Sequence, residues 1–292
     1  MILNYLKLIR ISQWIKNFFV FVPLLFSQHL FDKDFFITAL LAFVVFCLAS
    51  SFIYVINDII DIAADKAHPV KKNRPLPSGL ISKQSAYIVA IVLAVVIIIV
   101  LLQLNEEFNV FVIAFVLLNI FYSFWFKHIV ILDVFSIALG FSIRVLAGAV
   151  VISVPISSWL ILTTMFISLF LGVMKRHSEL ILVAESENAP SRKVLSQYSL
   201  NFADQMATVA AAGVIICYAL YTVSERTLSS FGTENLIYTT PFVVYGIFRF
   251  MYLEYISNKG DNTTKIVFSD LQIILTVIIY TVTTVLIIYK II

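Results

Sequence analysis

Long apolar runs alternate with short polar stretches along most of the chain. They lie near residues 14–28, 34–56, 80–103, 108–126, 131–151, 157–174, 202–223, 236–256 and 270–289. A helix needs about 20 apolar residues to cross the hydrocarbon core of a bilayer, and these runs predict about nine such helices rather than a barrel. The first run is short for a full crossing and takes in part of an amphipathic lead-in. Connections are brief except at 57–79, 175–201 and 257–269. If the spans alternate in direction, all three fall on the same side.

Composition agrees with the pattern. Of 292 residues, 61% are hydrophobic and only 13% charged, about half the charged fraction of a soluble domain. Mean hydropathy is +1.00. The chain therefore reads as an all-α integral membrane protein, a single polytopic domain over 1–292. Its first residues, MILNYLKLIRISQW, lack the small-residue cleavage pattern of a secretory signal, so the first span is expected to be retained. Fifteen of the 20 lysines and arginines assign to the N-terminal segment, the three long connections, Lys83 and Lys127. Positive-inside charge then places the N-terminus and those connections in the cytoplasm, in a cell (inner or plasma) membrane. Cys47 and Cys217 sit in apolar runs and suggest no disulfide framework. His29, His68, His128 and His177 show no metal-ligand spacing. There is no Gly-rich phosphate loop or GxSxG, and nothing points to nucleic acid.

Chemistry gathers in YVINDIIDIAADKAHPVKKNR, Tyr54 to Arg74. Placed on one helix, Tyr54, Asn57, Asp58, Asp61 and Asp65 fall within an arc of roughly 100°. Pro69 is expected to end that helix, and Lys71, Lys72 and Arg74 follow at once. Mg²⁺ takes oxygen ligands and commonly bridges to substrate phosphates, which adjacent cations can neutralise further. A solvated, charged helix end explains the charges but not their one-sided placement.

Three further clusters are weaker. Lys16 and Asn17, in SQWIKNFFVFVP, read locally as a snorkelling lysine beside the interfacial Trp14. In FKHIVILDVFSIALGFSIRVLAGA, Asp133, Gly140, Arg144 and Gly148 share a helix face. An arginine inside an apolar span faces a partner or a wet cavity, and the glycines flanking it are expected to allow close helix approach and to leave room around the guanidinium. A direct Arg144–Asp133 pair is implausible, because three helical turns separate them. In MKRHSELILVAE, Lys175 and Arg176 share a face with Glu179, which an ordinary helical ion pair explains. Arg249 receives no catalytic role.

The tract NDIIDIAADKAHPVKKNRP resembles the first aspartate-rich motif, NDxxDxxxD, of the intramembrane (UbiA-type) prenyltransferase superfamily. The resemblance covers nearly the whole chain. It implies a single helical bundle around a lipid-accessible cavity, with Mg²⁺ and a diphosphate held at the cytoplasmic face between connections 57–79 and 175–201. The superfamily's second acidic motif, of the DxxxD kind, is replaced here by KRHSEL. That departure, with QWIKN at 13–17 and LDVFSIALGFSIRVLAG at 132–148, resembles the branch of decaprenyl-phosphate phosphoribosyltransferases. Such enzymes move 5-phosphoribosyl from phosphoribosyl pyrophosphate to a polyprenyl phosphate and release diphosphate.

The resemblance implies a role for each candidate residue. Asn57 and Asp61 would coordinate Mg²⁺, with Asp58 and Asp65 supporting catalysis. Lys16, Tyr54, Lys71, Arg74 and Lys127 would meet the donor. Lys127, Arg144, Lys175 and Arg176 would meet the acceptor's phosphate, with Arg144 also catalytic. Glu179 matches a family position without an assigned role. The partners implied are phosphoribosyl pyrophosphate, a polyprenyl phosphate and membrane lipids; self-association is left open. Two alternatives stand beside this one. A prenyltransferase could alkylate an aromatic or other acceptor, with Lys175–Glu179 as a degenerate second motif. A transporter could use the polar cluster as a substrate site, although neither inverted repeats nor helices broken near the midplane are evident.

Overall fold

The structure, a computed structural model, describes residues 2–67, 71–185, 193–256 and 269–291. Among the described residues, eight helices are long and apolar enough to cross a membrane, and a bent pair brings the number to as many as nine. The bent pair is α1 (Ile2–Leu8) with the segment Ile11–Leu25, at 50° to each other. Arg10 makes the bend, in the left-handed region at φ 52°. The long helices are α3 (Lys33–Ile60), α5 (Lys83–Leu101), α6 (Glu106–Phe124), α7 (Leu132–Val151), α8 (Ser158–Glu185), α9 (Leu200–Val223), α11 (Thr240–Ile256) and α12 (Leu271–Ile288). Short helices α2 (Val22–Leu25), α4 (Ile62–Ala67) and α10 (Glu225–Phe231) complete the set. The chain is thus an all-helical, multi-pass membrane protein.

Two expected boundaries shift. The first span is a 3-10 helix over Ile11–Phe21 that passes into α2 at Pro23. A 3-10 helix rises about 2 Å per residue against 1.5 Å for an α-helix, so a short run reaches further across the bilayer. At the sixth span, α8 runs to Glu185 rather than ending near 174. No glycine or proline interrupts KRHSELILVAE, and Lys175, Arg176 and Glu179 therefore ride on helix.

The chain forms two compact units. Unit 1 comprises residues 1–127 and 143–155, and unit 2 comprises 128–142 and 156–292, so α7 contributes to both. In unit 1, α3 is central and packs against the 3-10 segment, α5 and α6. Its fully buried Ala39, Ala42 and Ala49 let neighbouring helices approach, and Phe46 packs edge-on to Phe108 and Phe115. Without a hydrophobic drive between helices in lipid, such close packing supplies much of the attraction.

At Gly148 the expected close approach is found, and the expected room is not. A Cβ there would lie 2.1 Å from the carbonyl oxygen of Val20. The missing side chain admits a neighbouring backbone, which fills the space it leaves. Gly148→Ala should therefore cost about 1–3 kcal/mol or more by overpacking against a backbone that cannot yield. A fall in the thermal unfolding midpoint of purified protein checks this, and an unchanged midpoint contradicts it.

In unit 2, α8 and α9 pack along their length through Ala203, Ala207, Ala210 and Ala211. The face of Gly213 meets the ring of Phe166, 2.5 Å from where a Cβ would stand. Asp270 caps α12 by accepting from Ile273 N–H, and accepts two hydrogen bonds from Arg249 at 3.2 and 2.8 Å. Those bonds hold the Asp270 carboxyl below the usual carboxylate range. Arg249 is thus a structural tie, as the sequence reading allowed.

Candidate functional site

The acidic tract lies where α3 ends. Its last turns carry Tyr54, Asn57 and Asp58, and Asp61 caps the helix at φ −88°, ψ 8°. The chain resumes at once as α4, which carries Asp65. The tract is therefore two helices rather than one helix ended by Pro69, and Pro69 lies outside the described residues. The backbone ladder nevertheless runs through the break. Asp61 N–H donates to Asn57 C=O at 2.9 Å, and Asp65 N–H donates to Asp61 C=O at 2.8 Å.

The aspartates separate by partner. Asp58 and Asp65 are nearly sealed from solvent, and both accept from Arg74, at 3.2 and 2.6 Å. Asp58 also accepts from Arg10 at 2.5 Å, and Lys71 Nζ stands 3.6 Å from Asp65. The same Arg10 guanidinium lies 4.5 Å from the centre of the Tyr54 ring. Asn57 and Asp61 are half-buried, and their side chains have no hydrogen-bond or ion-pair partner among the described residues. They stand one turn apart on the same stretch. An amide oxygen and a carboxylate left uncommitted at that spacing fit part of the shell of an oxygen-loving divalent ion.

A cationic group sits in the same unit. Arg144 is buried, donates from Nε to Asn17 Oδ1 at 2.7 Å, and lies 4.3 Å from the centre of the Phe115 ring. Asn17 is itself fully buried and donates to Cys47 Sγ at 3.3 Å. The amide therefore fixes the guanidinium from the 3-10 segment. Lys16 adjoins this pair, within electrostatic reach of Arg144 and Arg10. Lys16 and Lys127 have no carboxylate partner among the described residues. Lys16, Tyr54, Asn57, Asp58, Asp61, Asp65, Lys71, Arg74, Lys127 and Arg144 all belong to unit 1. The contacts described join Asp58, Asp65, Lys71, Arg74 and Tyr54 through Arg10 and Arg74, and Arg144 to Asn17, and none of them involves Lys127.

Lys175 and Arg176 belong to unit 2. Arg176 is 1% exposed and donates to Asp133 at 2.6 Å and to Glu179 at 2.7 Å. Tyr198 donates to the other Asp133 oxygen at 2.7 Å and accepts from Ile131 N–H at 2.8 Å. Burial, then the Asp133 bond, pushes the Tyr198 phenol well above its ordinary pKa. Arg176 is thus a charge neutralised by two carboxylates, which argues against its expected place at a lipid phosphate. Asp133 has found Arg176, not Arg144. The sequence reading missed Arg10 and the Asp133–Tyr198 contact. Arg10 looked like positive-inside charge on the lead-in, and Tyr198 lies 65 residues from Asp133.

The described residues thus form an all-helical, multi-pass membrane protein with an acidic tract at a helix end that Arg10, Lys71 and Arg74 pair with. The chain belongs to the UbiA prenyltransferase family, whose sequence profile matches residues 18–271. A decaprenyl-phosphate phosphoribosyltransferase from Mycolicibacterium smegmatis is 37% identical over 224 residues, 75% of this chain and 70% of that one. One of the same name from Mycobacterium tuberculosis is 30% identical over 253 residues, covering 85% and 83%. Among solved structures, a UbiA homolog from Archaeoglobus fulgidus bound to GPP and Mg²⁺ superposes with a TM-score of 0.70. It is 16% identical and covers 98% of each chain. The chain is an enzyme, a transferase of this family.

Proposed function

We propose that the chain transfers 5-phosphoribosyl from phosphoribosyl pyrophosphate to a polyprenyl phosphate, releasing diphosphate. The observation that carries this reading is the fate of the residues where a second acidic motif would stand. Glu179 is paired to Arg176, and Arg176 to Asp133. One acidic tract and a surplus of cations suit two phosphorylated substrates meeting; two acidic motifs would suit a prenyl diphosphate meeting a neutral acceptor. The names of the two mycobacterial relatives support the same choice.

In this reading Asn57 and Asp61 would hold Mg²⁺, which when bound would offset the charge of the donor's diphosphate. Lys71, Arg74 and Lys16 bind the donor's phosphates, and Tyr54 borders the ribose. Lys127 and Arg144 hold the acceptor's phosphate. An ionised lipid phosphate oxygen attacks the anomeric carbon as the bond to diphosphate breaks, and the electron pair leaves with diphosphate. The nucleophile is already an anion near neutral pH, so no strong general base is required. The residues act by positioning and by neutralising charge. Purified protein should turn over phosphoribosyl pyrophosphate with a polyprenyl phosphate. Consumption of a prenyl diphosphate with an aromatic acceptor instead would favour the alkylating alternative.

The site should open to the cytoplasm, where that donor is dissolved. Ser78 is exposed, and Cys47 and Cys217 are free and buried. In a cysteine-free background, Ser78→Cys should resist an impermeant thiol reagent in sealed cells and react after permeabilisation. Reaction from outside would reverse the orientation.

A further inference from the structure

The chain itself occupies two of the tract's three aspartates. Arg10 and Arg74 hold Asp58, and Arg74 and Lys71 hold Asp65. Three cations thus face two carboxylates that are each 3% exposed at the side chain. That leaves Asn57 and Asp61, one amide and one carboxylate, for a metal. Mg²⁺ takes six oxygens in near-octahedral geometry and gives up its waters reluctantly. A single carboxylate and an amide, on a tract whose other two carboxylates are already paired with three cations, make a poor site for a free divalent ion. For a metal already carried on a diphosphate, the sign of the field reverses. The complex is anionic, and the same three cations attract it.

We propose that Arg10, Arg74 and Lys71 are built-in counter-ions that keep the acidic tract from loading free metal, so that the divalent ion enters only as a metal–diphosphate complex. This rests on the reading of the tract as the donor's diphosphate site. Arg10 is the informative member. It comes from the bend after α1 and touches the tract only through Asp58 and the ring of Tyr54 among the contacts described.

The test is equilibrium dialysis of purified protein against Mn²⁺, without donor, followed by the same measurement with inorganic pyrophosphate. Wild type should retain little Mn²⁺ alone, and Mn²⁺ and pyrophosphate in equal amounts together. Arg10→Gln removes one of the two counter-ions of Asp58 and should tighten pyrophosphate-free Mn²⁺ binding on the order of tenfold. Arg10→Lys keeps the charge and should behave as wild type. Adding Asp58→Asn to Arg10→Gln should erase the gain, which a merely structural role for Arg10 would not produce. Stoichiometric Mn²⁺ on wild type without pyrophosphate overturns the proposal. So does Mn²⁺ binding by folded Arg10→Gln that is no tighter than wild type. If Arg10→Gln does not fold, Arg74→Gln decides by the same criterion. Pyrophosphate-dependent retention in a protein that ignores phosphoribosyl pyrophosphate would sustain this proposal and sink the phosphoribosyl reading.

Discussion

Asp61→Asn is expected to lower turnover by roughly 10²–10³-fold or more while leaving the protein folded. The substitution keeps shape and removes charge. Asp58 and Asp65 are tied to arginines, whereas Asp61 has no side-chain partner among the described residues. Losing its charge therefore breaks no ion pair, and the thermal unfolding midpoint should stay near that of wild type. Asp58→Asn makes the contrast, because it leaves Arg10 and Arg74 without a full counter-charge in a buried place and should cost stability. The measurements are the rate with phosphoribosyl pyrophosphate and polyprenyl phosphate, with and without excess EDTA, beside a melting curve. Wild-type turnover by Asp61→Asn, or full activity in EDTA, would remove the metal from this site.

The second large effect is at Arg144. The structure holds its guanidinium by Nε to Asn17 and against the Phe115 ring, which fixes the direction of the charged group. A buried guanidinium is costly unless an anion compensates it, and the acceptor's phosphate is the anion proposed. Arg144→Leu should lose on the order of 2–4 kcal/mol of transition-state stabilisation. Arg144→Lys keeps the charge but loses the planar fork and the Nε bond to Asn17, so it too should be impaired. Affinity for phosphoribosyl pyrophosphate should change less in both, because in the proposed reading Lys71, Arg74 and the metal residues would hold the donor. The readout is donor affinity beside the rate at saturating donor and varied polyprenyl phosphate. Normal turnover by Arg144→Leu, or lost donor affinity with unchanged lipid dependence, would refute the acceptor assignment.

Much of this protein was legible along the chain, because a bilayer reads composition locally. A run of about 20 apolar residues must satisfy its backbone within itself, so the runs foretold the long helices without knowledge of their neighbours. Local chemistry was legible too. The aspartates, Asn57 and the basic cluster after them sit within one short tract, and Arg144 announced itself as a charge where charge is expensive.

What the linear pattern could not convey was who meets whom. Asp58 and Asp65 looked equivalent to Asp61 on a helical wheel. They differ because Arg74 folds back from the far end of the tract and Arg10 arrives from 48 residues away. Gly148 was expected to allow close helix approach, but that the neighbour is the Val20 carbonyl was not written in the spacing. Arg176 was expected to pair with Glu179 on its helix, and it also gives its Nε to Asp133, 43 residues distant. Each of these outcomes has one cause. Periodicity records which face a side chain occupies, whereas the partner on that face is set by packing between segments remote in sequence, and in a low-dielectric interior that partner determines whether a charge is free to act.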